Sequence, residues 1–233
     1  MIKHSDPLGF PIHALTNGVP QADCVAHPGV HERIRTHLLG QRTEDGIWPS
    51  HSPVKSAVDA YRRGHTFLYE AVDPVAAARE YESAASIDEG YLQAWVGLAL
   101  AWTSMGTPDS VENAIELWRA LADMPVGRDG VSQRCMSILL QNLAYTLYQH
   151  HLYSNDVRTL RESADCYLRA TQMDTELRPE LYYPWCNVLL LLGRFDEAEK
   201  LWNEAGLGTP GPVKDVYLDK YTGLSAFDLR WGK

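Results

Sequence analysis

Two short stretches decide the fold: AAAREYESAASID at residues 76–88 and LLLLGRFDEAEKLWNEAG at residues 189–206. Each has a small residue, an aromatic residue four positions later, and another small residue three positions after that. The two sets are Ala77, Tyr81 and Ala84 in the first stretch and Ala198, Trp202 and Ala205 in the second. Because positions i, i+4 and i+7 lie along one face of an α-helix, both stretches predict helices that pack closely against a neighbour.

The second stretch resembles the latter half of a tetratricopeptide repeat, with Gly193 at the turn between two helices. This family repeats a helix pair every 34 residues. When Ala77 takes the equivalent position in the first repeat, the second repeat begins at Leu92 and Trp95 falls on the family's first-helix aromatic position. The resemblance implies an all-α fold. The expected architecture is a right-handed superhelical solenoid of about four helix pairs, with a C-terminal capping helix and an irregular N-terminal extension.

The chain divides into three predicted parts. Residues 1–56 form an N-terminal extension that is mostly loop, with a short helix near residues 30–39. Residues 57–206 contain the repeats, and residues 212–233 form a capping helix and tail. The four repeats span about residues 58–91, 92–128, 137–177 and 179–206.

Local departures from the family pattern carry predictions of their own. Turns longer than the family pattern are expected at residues 107–110 and 150–156. Pro184 is expected to kink the first helix of the fourth repeat or to delay its start. Gly64, rather than His65, fits the position at which the family has a glycine in the first helix, which moves the register of the first repeat by one residue.

Composition and charge narrow the classes of function. The formal net charge is −9, from 21 basic and 30 acidic residues, which disfavours binding to nucleic acid or to an anionic membrane surface. The N-terminal residues lack the apolar run of a signal peptide, and apolar runs elsewhere are too short to span a bilayer. The 4 cysteines are scattered along the chain, which favours reduced thiols and a cytoplasmic location.

In this family the first helix of each pair lines a concave groove in which extended partners bind. The resemblance therefore implies an adaptor for protein–protein interaction, with a peptide or helix of a partner protein in the groove and no cofactor. Tyrosine and amide side chains suit this role, because they combine flat apolar area with hydrogen bonds to a peptide main chain. For any single tyrosine, a place in the core between helices is an equal alternative. The resemblance assigns to the groove Arg62, His65, Tyr69, Gln93, Val96, Leu100, Gln141, Tyr145, Tyr148, Gln149, Tyr183 and Asn187, with Thr66, Thr103, Ser104 and Ile138 at further groove positions.

The main alternative is an enzyme, or a protein that binds a metal or cofactor, whose histidine-rich N-terminal segment closes over the groove. Cys24, His27 and His31 have a spacing typical of metal ligands, but Pro28-Gly29 interrupts the helix that would align the two histidines. The sequence has no paired-cysteine motif, no His-Glu-x-x-His motif, no phosphate loop and no nucleophile elbow. These absences favour a binding module over an enzyme, and no catalytic residue is assigned. A third alternative is a structural subunit that forms homo-oligomers.

Overall fold

The computed structural model describes residues 52–127, 130–173 and 182–204. Every regular element in these ranges is a helix, which confirms the predicted all-α class. In chain order the helices are α1 (Lys55–Tyr69), α2 (Pro74–Ile87), α3 (Leu92–Met105), α4 (Pro108–Ala122), α5 (Gln133–Ser154), α6 (Val157–Met173), α7 (Tyr182–Leu191) and α8 (Phe195–Glu204). The predicted helix near residues 30–39, most of the extension and the predicted capping helix at residues 212–233 lie outside the described residues.

The turn between α3 and α4 is tight, so the long turn predicted at residues 107–110 is wrong. Gly106 ends α3 in the left-handed conformation at φ +66°, which glycine adopts without strain. Thr107 then caps α4, because its hydroxyl accepts a hydrogen bond from the Ser110 amide and the Ser110 hydroxyl accepts one from the Thr107 amide. Pro108 occupies the first turn of α4, where its missing N–H is not needed. The additional residues therefore lengthen α4 rather than the turn.

The long turn predicted at residues 150–156 is also wrong, since α5 continues to Ser154. The stretch contains no Gly or Pro before the helix end, so nothing in it interrupts helical backbone. Asn155 ends the helix at φ +52°, a conformation that asparagine tolerates better than most residues. The His151 ring nitrogen Nδ1 lies 3.0 Å from the Asp156 carbonyl oxygen and closes this end of the helix.

Pro184 neither breaks α7 nor lies in its middle. It is the third residue of the helix, within the first turn, where backbone N–H groups have no intrahelical acceptor. Of the two expected outcomes, the kink is wrong, since the helix runs unbroken from Tyr182 to Leu191. The delayed start agrees with a described helix that begins at Tyr182, two residues before the proline.

Successive helices pack against each other along the chain, as in a helical repeat. In addition, α1 contacts α3, and α5 contacts α7. The Tyr81 ring of α2 is wedged between two glycines: a Cβ at Gly64 would lie 2.9 Å from the ring, and one at Gly97 would lie 2.5 Å from it. Gly64 and Gly97 therefore let α1 and α3 approach this ring closely. Within the described ranges, no helix has the length and apolar character needed to cross a bilayer.

A buried polar seam joins α3, α4 and α5. Trp118 is fully buried and donates its indole N–H to the Thr103 hydroxyl oxygen at 3.2 Å. Thr103 Oγ1 lies 3.2 Å from Thr146 Oγ1 and 2.8 Å from the Ala99 carbonyl oxygen. These contacts bring α3, near its C-terminal end, against the middle of α5, which sets the geometry of the candidate site.

Candidate functional site

Two matching rows of side chains run along α3 and α5. Both follow the same three-, four- and four-residue spacing, which keeps the members of a row on one helix face. The α3 row is Gln93, Val96, Leu100 and Ser104, and the α5 row is Ile138, Gln141, Tyr145 and Gln149. We call these two rows together the α3–α5 stripe. All eight residues had been assigned to the groove from the sequence.

The α3 row lies between two contacts whose directions the structure fixes. Gly97 faces the Tyr81 ring of α2, and Thr103 faces Thr146 of α5. At about 100° per residue, Gly97 and Thr103 point roughly 120° apart around the helix axis. The α3 row falls in this interval, so the packing against α2 and α5 flanks the row on either side.

Most side chains of the α3–α5 stripe are buried. Val96 exposes 6% of its surface, Ser104 exposes 0% and Tyr145 exposes 7%. Leu100, Ile138 and Gln149 are half-buried. Gln93, Gln141 and Tyr148 are also buried, and the Gln141 amide nitrogen donates to Ser137 Oγ at 2.8 Å.

Other predicted groove residues have different surroundings. On α1, Arg62 and His65 are exposed and Tyr69 is half-buried, with the His65 and Tyr69 ring centroids 4.5 Å apart. On α7, Asn187 is buried, whereas the Tyr183 side chain lies outside the described residues. The predicted groove residues therefore divide into a set on α1 that is exposed or half-buried and a set on α3, α5 and α7 that is largely buried. Whether they bind a partner stays a prediction.

Three buried polar atoms have no hydrogen-bond partner in the part of the chain that the structure describes: the Tyr91 hydroxyl, Ser104 Oγ and Gln149 Oε1. Ser104 and Gln149 occupy equivalent places at the ends of the two rows of the stripe. A buried polar group without a partner costs about 1–3 kcal/mol, because it has lost its water and gained nothing in return. These atoms are therefore the candidate hydrogen-bonding groups of the site.

A tyrosine cluster occupies the corner between α1, α2 and α3. The Tyr61 ring centroid lies 5.5 Å from that of Tyr81 and 5.3 Å from that of Tyr91. Burial raises the pKa of Tyr69 and of Tyr91 to about 12, so both hydroxyls are neutral donors at physiological pH. Sequence reasoning missed Tyr91, because it immediately precedes α3 and falls outside the helical positions that the family uses.

The described helices offer little for metal or nucleophilic chemistry. In residues 52–127, 130–173 and 182–204, no three His, Cys, Asp or Glu side chains are grouped as metal ligands. Burial raises the pKa of the Cys135, Cys166 and Cys186 thiols to about 12, which keeps these thiols protonated and unreactive. Cys24, His27 and His31, the candidate metal ligands, lie outside the described residues.

Comparison with known proteins leaves the site as the main guide to function. The sequence matches no protein-family model, and no curated protein resembles it closely enough to indicate a relationship.

Proposed function

We propose that this chain is a tetratricopeptide-like adaptor that binds an extended peptide of a partner protein. In this proposal, four helix pairs stack into a right-handed solenoid, and α1, α3, α5 and α7 line its concave face. The α3–α5 stripe is the centre of the binding surface. The support is the sequence resemblance together with the alternating helix contacts, in which α1 touches α3 and α5 touches α7.

The single observation that carries the proposal is the repetition of the stripe. Two successive first helices present the same spacing, and each row ends in a buried polar atom that has no partner in the described chain, Ser104 Oγ and Gln149 Oε1. A peptide main chain offers both kinds of group that these atoms need. Its carbonyl can accept from the Ser104 hydroxyl, and its N–H can donate to Gln149 Oε1.

The other stripe residues suit the side chains of such a peptide. Val96, Leu100 and Tyr145 provide apolar area between the polar ends of the rows. With a net charge of −9 on the chain, a neutral or basic peptide is easier to accommodate than an acidic one. The proposed partner is therefore an extended, neutral or basic protein segment.

A capture experiment from the native source tests this function. We would compare the wild-type protein with the double variant Ser104→Ala/Gln149→Leu, which removes the two polar atoms and keeps the side-chain sizes similar. The control is Gln172→Leu, the same glutamine change at an exposed position on α6.

We expect a partner that wild type and the control retain and that the double variant captures about tenfold less, since two hydrogen bonds are lost. Equal capture by a folded double variant would show that the stripe is not the binding surface.

A further inference from the structure

The exposed faces of α4 and α6 carry opposite charge. At about 100° per residue, four exposed carboxylates of α4 and its C-cap lie within about 60° of one another around the helix axis. These carboxylates, which we call the α4 acidic row, are Asp109, Glu112, Glu116 and Asp123. The exposed face of α6 carries Arg161 and Arg169, neither of which forms an ion pair with a described residue. Asp165 is the one exposed carboxylate of α6, so this face has an excess of positive charge in a chain whose net charge is −9.

The same face of α6 exposes apolar surface. Val157 and Leu168 are the most exposed of the large apolar side chains that the structure describes, at 47% and 46%. They lie three turns apart, within about 20° of each other around the helix axis, and Arg161 lies beside them. Since α6 contains three arginines and no lysine, its exposed face has the composition that protein interfaces favour.

A bidentate ion pair joins α4 to α6 between these two faces. Arg119 of α4 donates from Nε to Glu162 Oε1 of α6 at 2.8 Å, and from Nη2 to Glu162 Oε2 at 2.6 Å. Both side chains are partly exposed, so the pair lies on the outer surface of the molecule. The α4 acidic row and the α6 face therefore lie side by side on one surface.

We propose that this surface binds a second copy of the chain, with the α4 acidic row of each protomer against the α6 face of the other. A closed two-fold contact uses the same patch on both protomers, so every contact in it occurs twice. An acidic row beside a basic and apolar face is self-complementary in that arrangement. A two-fold that placed α4 over α4 would instead bring like charges together, which costs free energy.

The size of this surface predicts a weak dimer. The 15 residues of α4 and the 17 residues of α6 form helices about 22 Å and 26 Å long and about 10 Å wide. Together they offer about 500 Å² on each protomer, or about 1,000 Å² in all, which is near the lower limit for a specific interface. We therefore expect dissociation in the micromolar range, and we expect salt to weaken a contact between exposed charges.

Charge reversal on the two faces tests the proposal. The α6 variant is Arg161→Glu/Arg169→Glu, and the α4 variant is Glu112→Lys/Glu116→Lys. Sedimentation velocity at low and high salt would measure the mass of wild type, of each variant alone and of an equal mixture of the two. Circular dichroism would verify that each protein keeps its helices. The controls reverse one exposed charge elsewhere, in Arg79→Glu on α2 and in Glu199→Lys on α8.

We expect wild type and both controls to dimerise at low salt. Each double variant alone should stay monomeric, because its α4 and α6 faces then carry the same sign of charge. The equal mixture should form a heterodimer, since each face of one variant meets the opposite charge on the other. A monomeric wild type at low salt, a dimer that persists in either variant, or a mixture of folded variants that stays monomeric would overturn the proposal.

A neutral substitution covers the case in which a charge-reversed variant does not fold. Leu168→Ser removes exposed apolar area without changing charge, and we expect it to raise the dissociation constant of the dimer about fivefold. An unchanged dissociation constant would contradict a contact through the α6 face. These variants leave α3 and α5 intact, so capture of a partner by the α3–α5 stripe is a separate result.

Discussion

Helices α1 and α3 begin successive helix pairs, yet their outward faces are built differently. The face of α1 presents Arg62 and His65 to solvent, and the equivalent face of α3 buries Val96 and Ser104. The two helices share one anchor, the Tyr81 ring between Gly64 and Gly97. The difference teaches that equivalent places in a repeat need not have equivalent environments, because α3 packs between α2 and α4 whereas α1 is the first helix of the described residues.

The prediction with the largest expected effect concerns the tyrosine cluster between α1, α2 and α3, and it is tested by alkaline titration. Burial raises the pKa of Tyr69 and Tyr91 from about 10 in the unfolded chain to about 12 in the fold. A raised pKa favours the neutral hydroxyl in the folded state, so the stabilisation is complete below pH 10 and is lost as pH rises from about 10 to 12. We expect the free energy of unfolding to fall by up to about 1.4 kcal/mol per pH unit for each tyrosine, on the order of 5 kcal/mol in all once the pH exceeds about 12.

Urea unfolding at a series of pH values, with tyrosine absorbance near 295 nm, would measure this loss. The Tyr91→Phe variant removes one titrating group and should have a shallower pH dependence. Titration of every tyrosine near pH 10 would contradict the buried corner that ties α1 to α3.

A second prediction compares the stability cost of substituting the two glycines, Gly64 and Gly97, that lie on either side of the Tyr81 ring. Gly97→Ala should destabilise the fold by about 2–3 kcal/mol, because the added methyl group would lie 2.5 Å from the ring. Gly64→Ala should cost less, about 1–2 kcal/mol, since its methyl group would lie 2.9 Å away. Denaturant unfolding of both variants measures the order. The reverse order would mean that the ring is held by α1 rather than by α3.

A third prediction concerns the buried polar seam between α3, α4 and α5, which lies beside the α3 row. Thr103→Val removes the acceptor of the Trp118 indole N–H and leaves that donor buried without it. We expect a loss of about 1–2 kcal/mol in the free energy of unfolding and an altered Trp fluorescence spectrum. Thr66→Val, at an exposed position on α1, is the matched control and should change stability by less than about 0.5 kcal/mol. Equal losses of stability in Thr103→Val and Thr66→Val would show that the buried position on α3 is no more sensitive than the exposed position on α1.

The smallest expected change is the most specific to the stripe. Ser104→Ala removes a buried hydroxyl that has no partner in the described chain, so stability should stay the same or rise by up to about 1 kcal/mol. Most substitutions of fully buried residues lower stability, which makes this sign informative. Thermal unfolding of Ser104→Ala, compared with the Thr66→Ala control, measures the sign of this change in stability. A loss above 1 kcal/mol would show that the Ser104 hydroxyl has a stabilising partner after all.

Much of the fold could be predicted because its signals are local. The spacing of Ala77, Tyr81 and Ala84 places three buried side chains on one face of α2, where they pack as expected. Gly64 could be identified from the sequence as the family's first-helix glycine, whereas its contact with the Tyr81 ring was visible only in the structure. The turns at residues 107–110 and 150–156 were predicted wrongly, because helix caps at Thr107 and Asn155 extend the helices where alignment to a fixed repeat length suggested loop.

The state of the site could be predicted only in part. Spacing alone brings Val96, Leu100 and Ser104 onto one helix face, and the structure places them there. The burial of Val96 and Ser104 depends on how the neighbouring helices pack, which no helical periodicity reports. The absence of charged residues from α3 was the one available signal that most of this helix is buried.

The most direct test of the central claim measures affinity and stability together in a double-mutant cycle. The affinity of a partner peptide obtained by capture would be determined for wild type, Ser104→Ala, Gln149→Leu and the double variant, with urea unfolding of each protein. We predict that each single change weakens binding by about threefold while the free energy of unfolding does not fall. Unchanged affinity in all four proteins, or affinity that falls only in step with stability, would contradict a peptide-binding stripe on α3 and α5.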